Sequence, residues 1–476
     1  MSETILNRTK IIATIGPASA SKETLRKLVK AGMNVCRLNF SHIDYAKATE
    51  VVEEIKKINS QNIFPVAIMA DLQGPKLRVG EMQGEGAELI NNSLVIITSE
   101  EIKGTSERFT LRYPRLSADL KPSEKILLDD GKMEVHITRV LNEKEVEARV
   151  IRGGLLKSKK GFNLPGSNVS LPALTEKDLQ DLEFALNADV DWIAISFVRK
   201  PEDVIELKNR IADFGKSTRV VAKIEKPEAV ENIDKIIKVA DAIMIARGDL
   251  GIEMPLQELP ILQKNIIQKT IAYAKPVIVA TQMMESMMTN TIPNRAEVND
   301  VANAVTDGAS AVMLSGETSV GEYPVETVAT MFKIITDVER DYRPYTRGAV
   351  PERDANISIA NEICYMASHI AKSVNAKAIA VMTATGASAS LMSSFRPKSN
   401  IYVFSNDKKL LQTLMLAWGI RGFYYDNYQS TDQSICDTIS ILKSNNLVNE
   451  SDTVIHTASM PIKMRGKTNT IKVTVV

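Results

Sequence analysis

Short apolar runs rich in β-branched residues recur along the chain as TKIIATI, NVCRLNF, PVAIMAD, DWIAISF, RVVAKIE, DAIMIAR, PVIVATQ and SAVMLSG, with helix-period segments between nearly all of them. Apolar strands alternating with helices predict eight strand-helix units closed into a parallel (β/α)8 barrel, with a doubly wound open sheet as the alternative. Helix ends are well marked. Ser21 precedes a segment that places Leu25, Leu28 and Val29 on one face and ends at Gly32, and Thr175 with Asp178 reads as a capping box ahead of Leu179, Leu182 and Leu186.

The rhythm breaks after PVAIMAD. From about Pro75 to Ser170 the text turns strand-like and turn-rich (SLVIITS, KILLDDGKMEVHITRV, EVEARVI), which predicts a small β-barrel inserted at the third connection. That connection lies on the catalytic face of a barrel, so the insertion reads as a lid. The pattern stops again near residue 340, where DYRPYTRGAVPERDANIS has the proline, glycine and charge of a linker. Beyond it come a helix around IANEICYMASHIAKSV, a strand AIAVMTAT, a helix from Ser390, a strand IYVFS, a helix around LLQTLMLAW and strands DTVIHTA and TIKVTVV, an α/β sandwich. The expected domains are residues 1–73 with 171–342 (catalytic barrel), 74–170 (β-barrel lid) and 343–476 (C-terminal α/β regulatory domain).

Composition narrows the function. Lys plus Arg (59) nearly cancel Asp plus Glu (58), so no global field draws the protein to nucleic acid or an anionic membrane, and any anion site must be local. The start MSETILNRTK lacks a signal-length apolar core and no apolar run approaches bilayer length, which makes a cytoplasmic location the expectation. Three scattered cysteines without a CxxC pair indicate neither a disulfide framework nor a zinc site, and four histidines without HExxH argue against histidine-centred metal chemistry. Hard oxygen ligands with lysine and arginine must carry the chemistry.

Placed on the barrel, the unusual polar residues fall at the C-terminal ends of strands: Arg37, Asn39 and Ser41 after the second, Asp71 after the third, Ser196 after the fourth, Lys223 and Glu225 on the fifth, Asp249 after the sixth through ARGD, Thr281 after the seventh, and Ser315 with Glu317 after the eighth. Along RVVAKIE, Lys223 and Glu225 are expected to point together, with Val221 and Ile224 packed elsewhere. A surface ion-pair cluster is the plainer alternative, yet a lysine inside an apolar strand is costly unless paired. Glu225 and Asp249 suit a hard cation such as Mg²⁺, and Gly248 and Gly251 allow close backbone approach to a carboxylate or phosphate. Arg37, Lys223 and that metal would neutralise a phosphoryl group.

The motifs RLNFSH, GPKLR, SKKGFNLPG, the KIE segment, IMIARGDLGIE, ATQMMESM, NRAEVNDVANAV, MLSGETSVGEYP and GKTNTIKV occur in an order that resembles pyruvate kinase, of bacterial type, along essentially the whole chain. The resemblance implies a cytoplasmic glycolytic phosphotransferase that converts phosphoenolpyruvate and ADP to pyruvate and ATP, with Mg²⁺ (or Mn²⁺) as cofactor and a homotetramer as the assembly. It implies Arg37 and Lys223 on the transferring phosphoryl group, Glu225 and Asp249 on Mg²⁺, Ser196, Thr281 and the turn Ala246, Arg247, Gly248 and Asp249 on substrate, Thr281 and Ser315 on the side of enolate protonation, and Asn39, His42, Arg78 and Lys160 on the nucleotide.

Many members carry a glutamate after GP and bind K⁺ through positions matching Asn39, Ser41 and Asp71, with a threonine after that aspartate. Here Lys76 and Leu72 stand at those two positions, and a fixed ammonium can supply the charge of K⁺, so K⁺-independent activity is expected. TATGASAS resembles the effector loop of allosteric members, with Thr383, Thr385, Gly386 and Ser388 able to cradle a phosphate, although helix capping alone explains much of it. Ala387 replaces an arginine often found there, which favours AMP or a sugar monophosphate over a bisphosphorylated sugar. The competing functions are a Mg²⁺-dependent enolate lyase or aldolase on the same barrel and a non-catalytic metabolite sensor.

Overall fold

Every predicted barrel segment is a strand in the computed structural model, which describes residues 7–166, 172–341, 358–461 and 468–476. The strands Lys10–Ile15, Val35–Asn39, Ala67–Asp71, Trp192–Ile195, Arg219–Ile224, Ala242–Ala246, Val277–Ala280 and Ala311–Leu314 pair in parallel with their sequence neighbours, and the last returns to the first to close the barrel. Alternate residues divide between two cores. Ile12, Val35, Met69, Ala194, Val221, Met244, Ile278 and Met313 fill the interior, while Ile11, Cys36, Ile68, Ile193, Ala222, Ile243 and Val279 pack under the outer helices. Val221 therefore faces inward with Lys223, contrary to the expectation that it packs with Ile224: their even spacing puts them on one face, and Val220, Ala222 and Ile224 form the other.

The helix ends behave as their chemistry dictates. Ser21 accepts the Thr24 amide at the start of Lys22–Ala31, Gly32 terminates that helix with φ 123°, and Thr175 with Asp178 closes a full capping box on Glu176–Asn187.

The inserted domain is a small barrel. Its strands run in the spatial order Phe162–Asn163, Lys125–Leu128, Met133–Asn142, Glu145–Arg152, Leu94–Thr98 and Arg108–Thr110 around a core of Val95, Ile97, Phe109, Ile126, Val135 and Val146. The segment leaving the third barrel strand closes the gap, since Arg78 bridges Gly161 at one edge and Val79 bridges Leu111 at the other.

Downstream, the helix Pro324–Asp341 ends the barrel, and most of the expected linker lies outside the described residues. The C-terminal sheet has the order Ile420–Tyr424, Asn400–Ser405, Ala378–Met382, Thr453–Ala458, Thr470–Val475, with the last strand antiparallel. Sequence reading missed the strand Ile420–Tyr424 and the helix Thr431–Ser444, and it started one helix late: Ala387–Ser394 begins directly after Gly386, not at Ser390. Met415 and Leu416 of this domain belong to the barrel's interior core, capping its lower end. Trp192 Nε1 donates to the Thr413 carbonyl at 3.1 Å and the fully buried Lys10 donates to that of Ile420 at 2.6 Å, so the two domains share hydrogen bonds as well as apolar surface. No helix among the described residues is long and apolar enough to cross a membrane.

Candidate active site

The inward-facing alternation that builds the barrel core turns polar in its topmost layer. Thr14, Arg37, Asp71, Ser196 and Lys223 continue the inward positions of five adjacent strands, and strand register brings them together. Arg37 donates from Nε to Asp71 Oδ2 at 2.7 Å and places Nη2 2.6 Å from the same oxygen, while Nη1 reaches Thr14 Oγ1 at 2.7 Å. Lys223 Nζ lies 3.2 Å from Asp71 Oδ1 and 2.9 Å from Glu225 Oε1, and donates to Ser196 Oγ at 2.7 Å. Ser196 in turn donates to the Leu72 carbonyl, and the Phe197 amide donates to Glu225 Oε2 at 2.7 Å. Arg37 thus sits inside the second strand, one inward position before Asn39, and not after the strand.

Burial and charge work against each other here. Burial pulls the Lys223 ammonium down, but Asp71 and Glu225 outweigh it and raise its pKa above the usual lysine value. Burial pushes the Asp71 carboxyl up, yet Lys223 and Arg37 overcome this and hold it low. Glu225 goes the other way: burial raises it, and the charge of Asp249 adds to the rise against the pull of Lys223. Arg37 and Lys223 face the three carboxylates Asp71, Glu225 and Asp249, one negative charge in excess. A hard divalent cation between Glu225 and Asp249 would turn that excess into one net positive charge, suited to an anionic substrate, and two carboxylates are the donor type that Mg²⁺ or Mn²⁺ takes when substrate and water supply the remaining positions.

The sixth and seventh strands meet around Thr281. The sixth strand ends at Ala246 and the chain enters the helix Arg247–Glu253 directly, so the expected turn is a helix N-terminus with Gly248 and Asp249 in its first turn. Thr281 Oγ1 accepts the Gly248 amide at 2.7 Å and donates to the Ala280 carbonyl at 2.6 Å. It does so with φ of 71°, which a β-branched residue adopts only where its surroundings enforce it. The Arg247 side chain is committed elsewhere, with bonds of 2.7 Å to both oxygens of Asp300 and to the Thr281 carbonyl, leaving its backbone for the site. The Ser315 amide donates to buried Glu317, which also receives the Met284 amide.

Between mouth and lid lies a cleft open to solvent, with Asp249, Phe197 and Arg199 on the barrel side and Lys76, Asp130 and Asn163 on the lid side. Lys76 is exposed and stands in this wall. Lys160 is paired to Asp129 at 2.9 Å and Arg78 donates to the Lys159 carbonyl at 3.1 Å, so both expected nucleotide cations are held on the lid. Asn39 Oδ1 accepts the Ser41 amide, capping the short helix Phe40–His42; the His42 side chain lies outside the described residues. In the C-terminal domain, Thr383 Oγ1 accepts the Gly386 amide at 2.9 Å, Thr385 Oγ1 accepts that of Ala387 at 3.5 Å, and Ser388 bonds Thr468. The loop thereby caps its own helix, as its residue types allow.

Sequence reasoning missed Thr14, Asp300 and Glu253. The first was legible from the alternation of KIIATI, and the other two lie inside motifs already noted for neighbouring residues.

The family model "Pyruvate kinase, barrel domain" matches residues 6–328 and "Pyruvate kinase, alpha/beta domain" matches residues 361–474. Pyruvate kinase 2 of Synechocystis sp. is 42% identical over 473 residues, covering 98% of this chain and 79% of the relative. The Geobacillus stearothermophilus pyruvate kinase is 39% identical, covering 98% of this chain and 80% of the relative. A crystal structure of a pyruvate kinase from Cryptosporidium parvum superimposes with a TM-score of 0.93 at 32% identity, covering 98% of this chain and 96% of that one. With both domains matched in order and the barrel mouth built as described, the chain belongs to the pyruvate kinase family.

Proposed function

We propose that this protein transfers the phosphoryl group of phosphoenolpyruvate to ADP, giving ATP and an enolate that is protonated to pyruvate. The observation that carries the reading is Lys223, an ammonium desolvated within an apolar strand yet kept charged by Asp71 and Glu225 and aimed by Ser196. In the transfer the bond from phosphorus to the enol oxygen breaks and one to a β-phosphate oxygen of ADP forms, so little covalent chemistry falls to the protein, and positioning with charge stabilisation is its main contribution. Lys223 and Arg37 balance negative charge on the phosphoryl oxygens. The Gly248 backbone and Thr281 orient the substrate carboxylate, and Thr281 and Ser315 stand on the face where the enolate carbon takes its proton. Glu225 and Asp249 would hold Mg²⁺, which when bound supplies positive charge to phosphate oxygens. Lys160 and Arg78, with Asn39 and His42, meet the nucleotide as the lid closes. A coupled assay of pyruvate and ATP formation tests the reaction; turnover without ADP consumption would point to a lyase instead.

Activity without K⁺ belongs to the same proposal. Asp71 already has two cationic partners and Lys76 adds a third charge in the cleft wall. Enzyme in buffer free of Na⁺ and K⁺ is expected to run at its full rate, and strict dependence on added K⁺ would reject the idea. Regulation by AMP or a sugar monophosphate at Thr383, Thr385, Gly386 and Ser388, in a homotetramer, completes the reading. A phosphate there must compete with the loop's own hydroxyls for the Gly386 and Ala387 amides. Saturable activation by a monophosphate is expected, and activation by fructose bisphosphate alone would reverse the choice.

A further inference from the structure

The buried carboxylate of Glu253 lies outside the reacting cluster, yet it receives two donors from different parts of the molecule. Its side chain is 1% exposed and closes the helix Arg247–Glu253, whose first turn carries Gly248 and Asp249. Lys226, the residue directly after Glu225, donates its ammonium to Glu253 Oε1. Asn163, on the lid strand Phe162–Asn163, donates Nδ2 to the same oxygen at 2.7 Å. The lid also approaches the same helix at Gly131, where an added methyl group would sit 3.7 Å from Ile252 Cγ2.

We propose that Asn163, Glu253 and Lys226 form a latch that seats the lid and sets the carboxylate pair in one act, a deepening of the phosphotransferase reading on which it rests. Lys226 neutralises Glu253, which makes that carboxylate tolerable in a buried position and fixes it as an acceptor. Asn163 is uncharged, so its bond is directional and breaks without stranding a charge on the lid. When it forms, the lid is tied to the helix that places Asp249, and through Lys226 to the residue adjacent to Glu225. When it breaks, the lid swings without a bond to either. Asn163, Glu253 and Lys226 are positioning residues, since none of them contacts the Lys223 cluster in its described hydrogen bonds.

The test uses Asn163→Ala, Lys226→Met and Lys226→Arg in the full chain. Asn163→Ala is expected to lower kcat/KM for phosphoenolpyruvate about tenfold at an unchanged unfolding midpoint and to speed hydrogen exchange in lid peptides. Lys226→Met is expected to weaken Mn²⁺ binding, followed by the paramagnetic signal of the free ion without substrate, and Lys226→Arg to restore it. Because both donors share Glu253, the double variant Asn163→Ala/Lys226→Met is expected to fall short of the product of the single effects. Wild-type lid exchange in Asn163→Ala, or single effects that multiply fully, would overturn the latch. Lid exchange and Mn²⁺ binding need no turnover, so a wild-type enzyme inactive on phosphoenolpyruvate would defeat the function while leaving the latch to its own result.

Discussion

The Lys223→Met enzyme is expected to lose roughly 10²–10³-fold in kcat while binding phosphoenolpyruvate nearly as well, as removal of a preorganised charge from a transition state does. Methionine fills the volume of the lysine stem, so the barrel's upper layer keeps its packing and the charge alone is removed. Ground-state binding survives because Arg37, the Gly248 backbone and Thr281 remain in place. Lys223→Arg separates charge from shape: a planar guanidinium keeps the cation but does not reproduce a compact ammonium among Asp71, Glu225 and Ser196, so only partial recovery is expected. Steady-state kinetics with the coupled assay, beside a binding titration of phosphoenolpyruvate, gives the split. If Lys223→Met kept more than a tenth of the wild-type rate, Lys223 would be a structural counter-ion and no more.

The second large effect belongs to a residue with no direct role in transfer. Asp71 is the shared anion of Arg37 and Lys223, with a side chain only 1% exposed. Asp71→Ala strips Arg37 of its carboxylate in a buried layer and leaves Lys223 with Glu225 alone, for which the expected loss is about 3–5 kcal/mol of stability, together with about 10²-fold in kcat/KM as both phosphoryl ligands drift. Calorimetry and kinetics on the same preparation measure both. The pH dependence has a definite sign. A carboxyl held low in the native state adds stability above its unfolded pKa of about 3.9, and this contribution fades as pH falls through the depressed native value. Asp71→Asn is therefore expected to lie below wild type at neutral pH and to approach it under acid conditions; parallel stability curves at all pH values would contradict the assigned pairing.

The barrel was legible because its strands are buried on both faces and read as continuous apolar runs between capped helices, so the eight segments, Ser21 and Thr175 all appear where their chemistry places them. The polar ring was legible for the same reason: Lys223 interrupts such a run. What failed were features set by tertiary contact. Ile420–Tyr424 has two aromatic residues and a buried arginine, and it becomes a strand because it pairs with Asn400–Ser405 and lies against the barrel base. Nothing in ARGD indicates that the Arg247 side chain is held by Asp300, more than fifty residues on. In the loop TATGASAS the capping alternative is what the hydrogen bonds display, with Thr383 and Thr385 accepting the Gly386 and Ala387 amides. Orientation of Val221 was a matter of counting by two, and the interior core settles it.

The barrel has no floor of its own. Met415 and Leu416 complete the interior that begins at Ile12, Val35 and Trp192, and the acceptor of Lys10 lies across the domain boundary. The barrel and the C-terminal α/β domain are therefore not modules that evolution or an engineer could shuffle freely. Excising the C-terminal domain to obtain a smaller catalyst would open the barrel from beneath and expose its apolar lower layer to water. The dependence also runs upward: Trp192, anchored to Thr413, lies four residues below Ser196 on the same inward face, so the C-terminal domain holds the foot of a strand whose top aims Lys223.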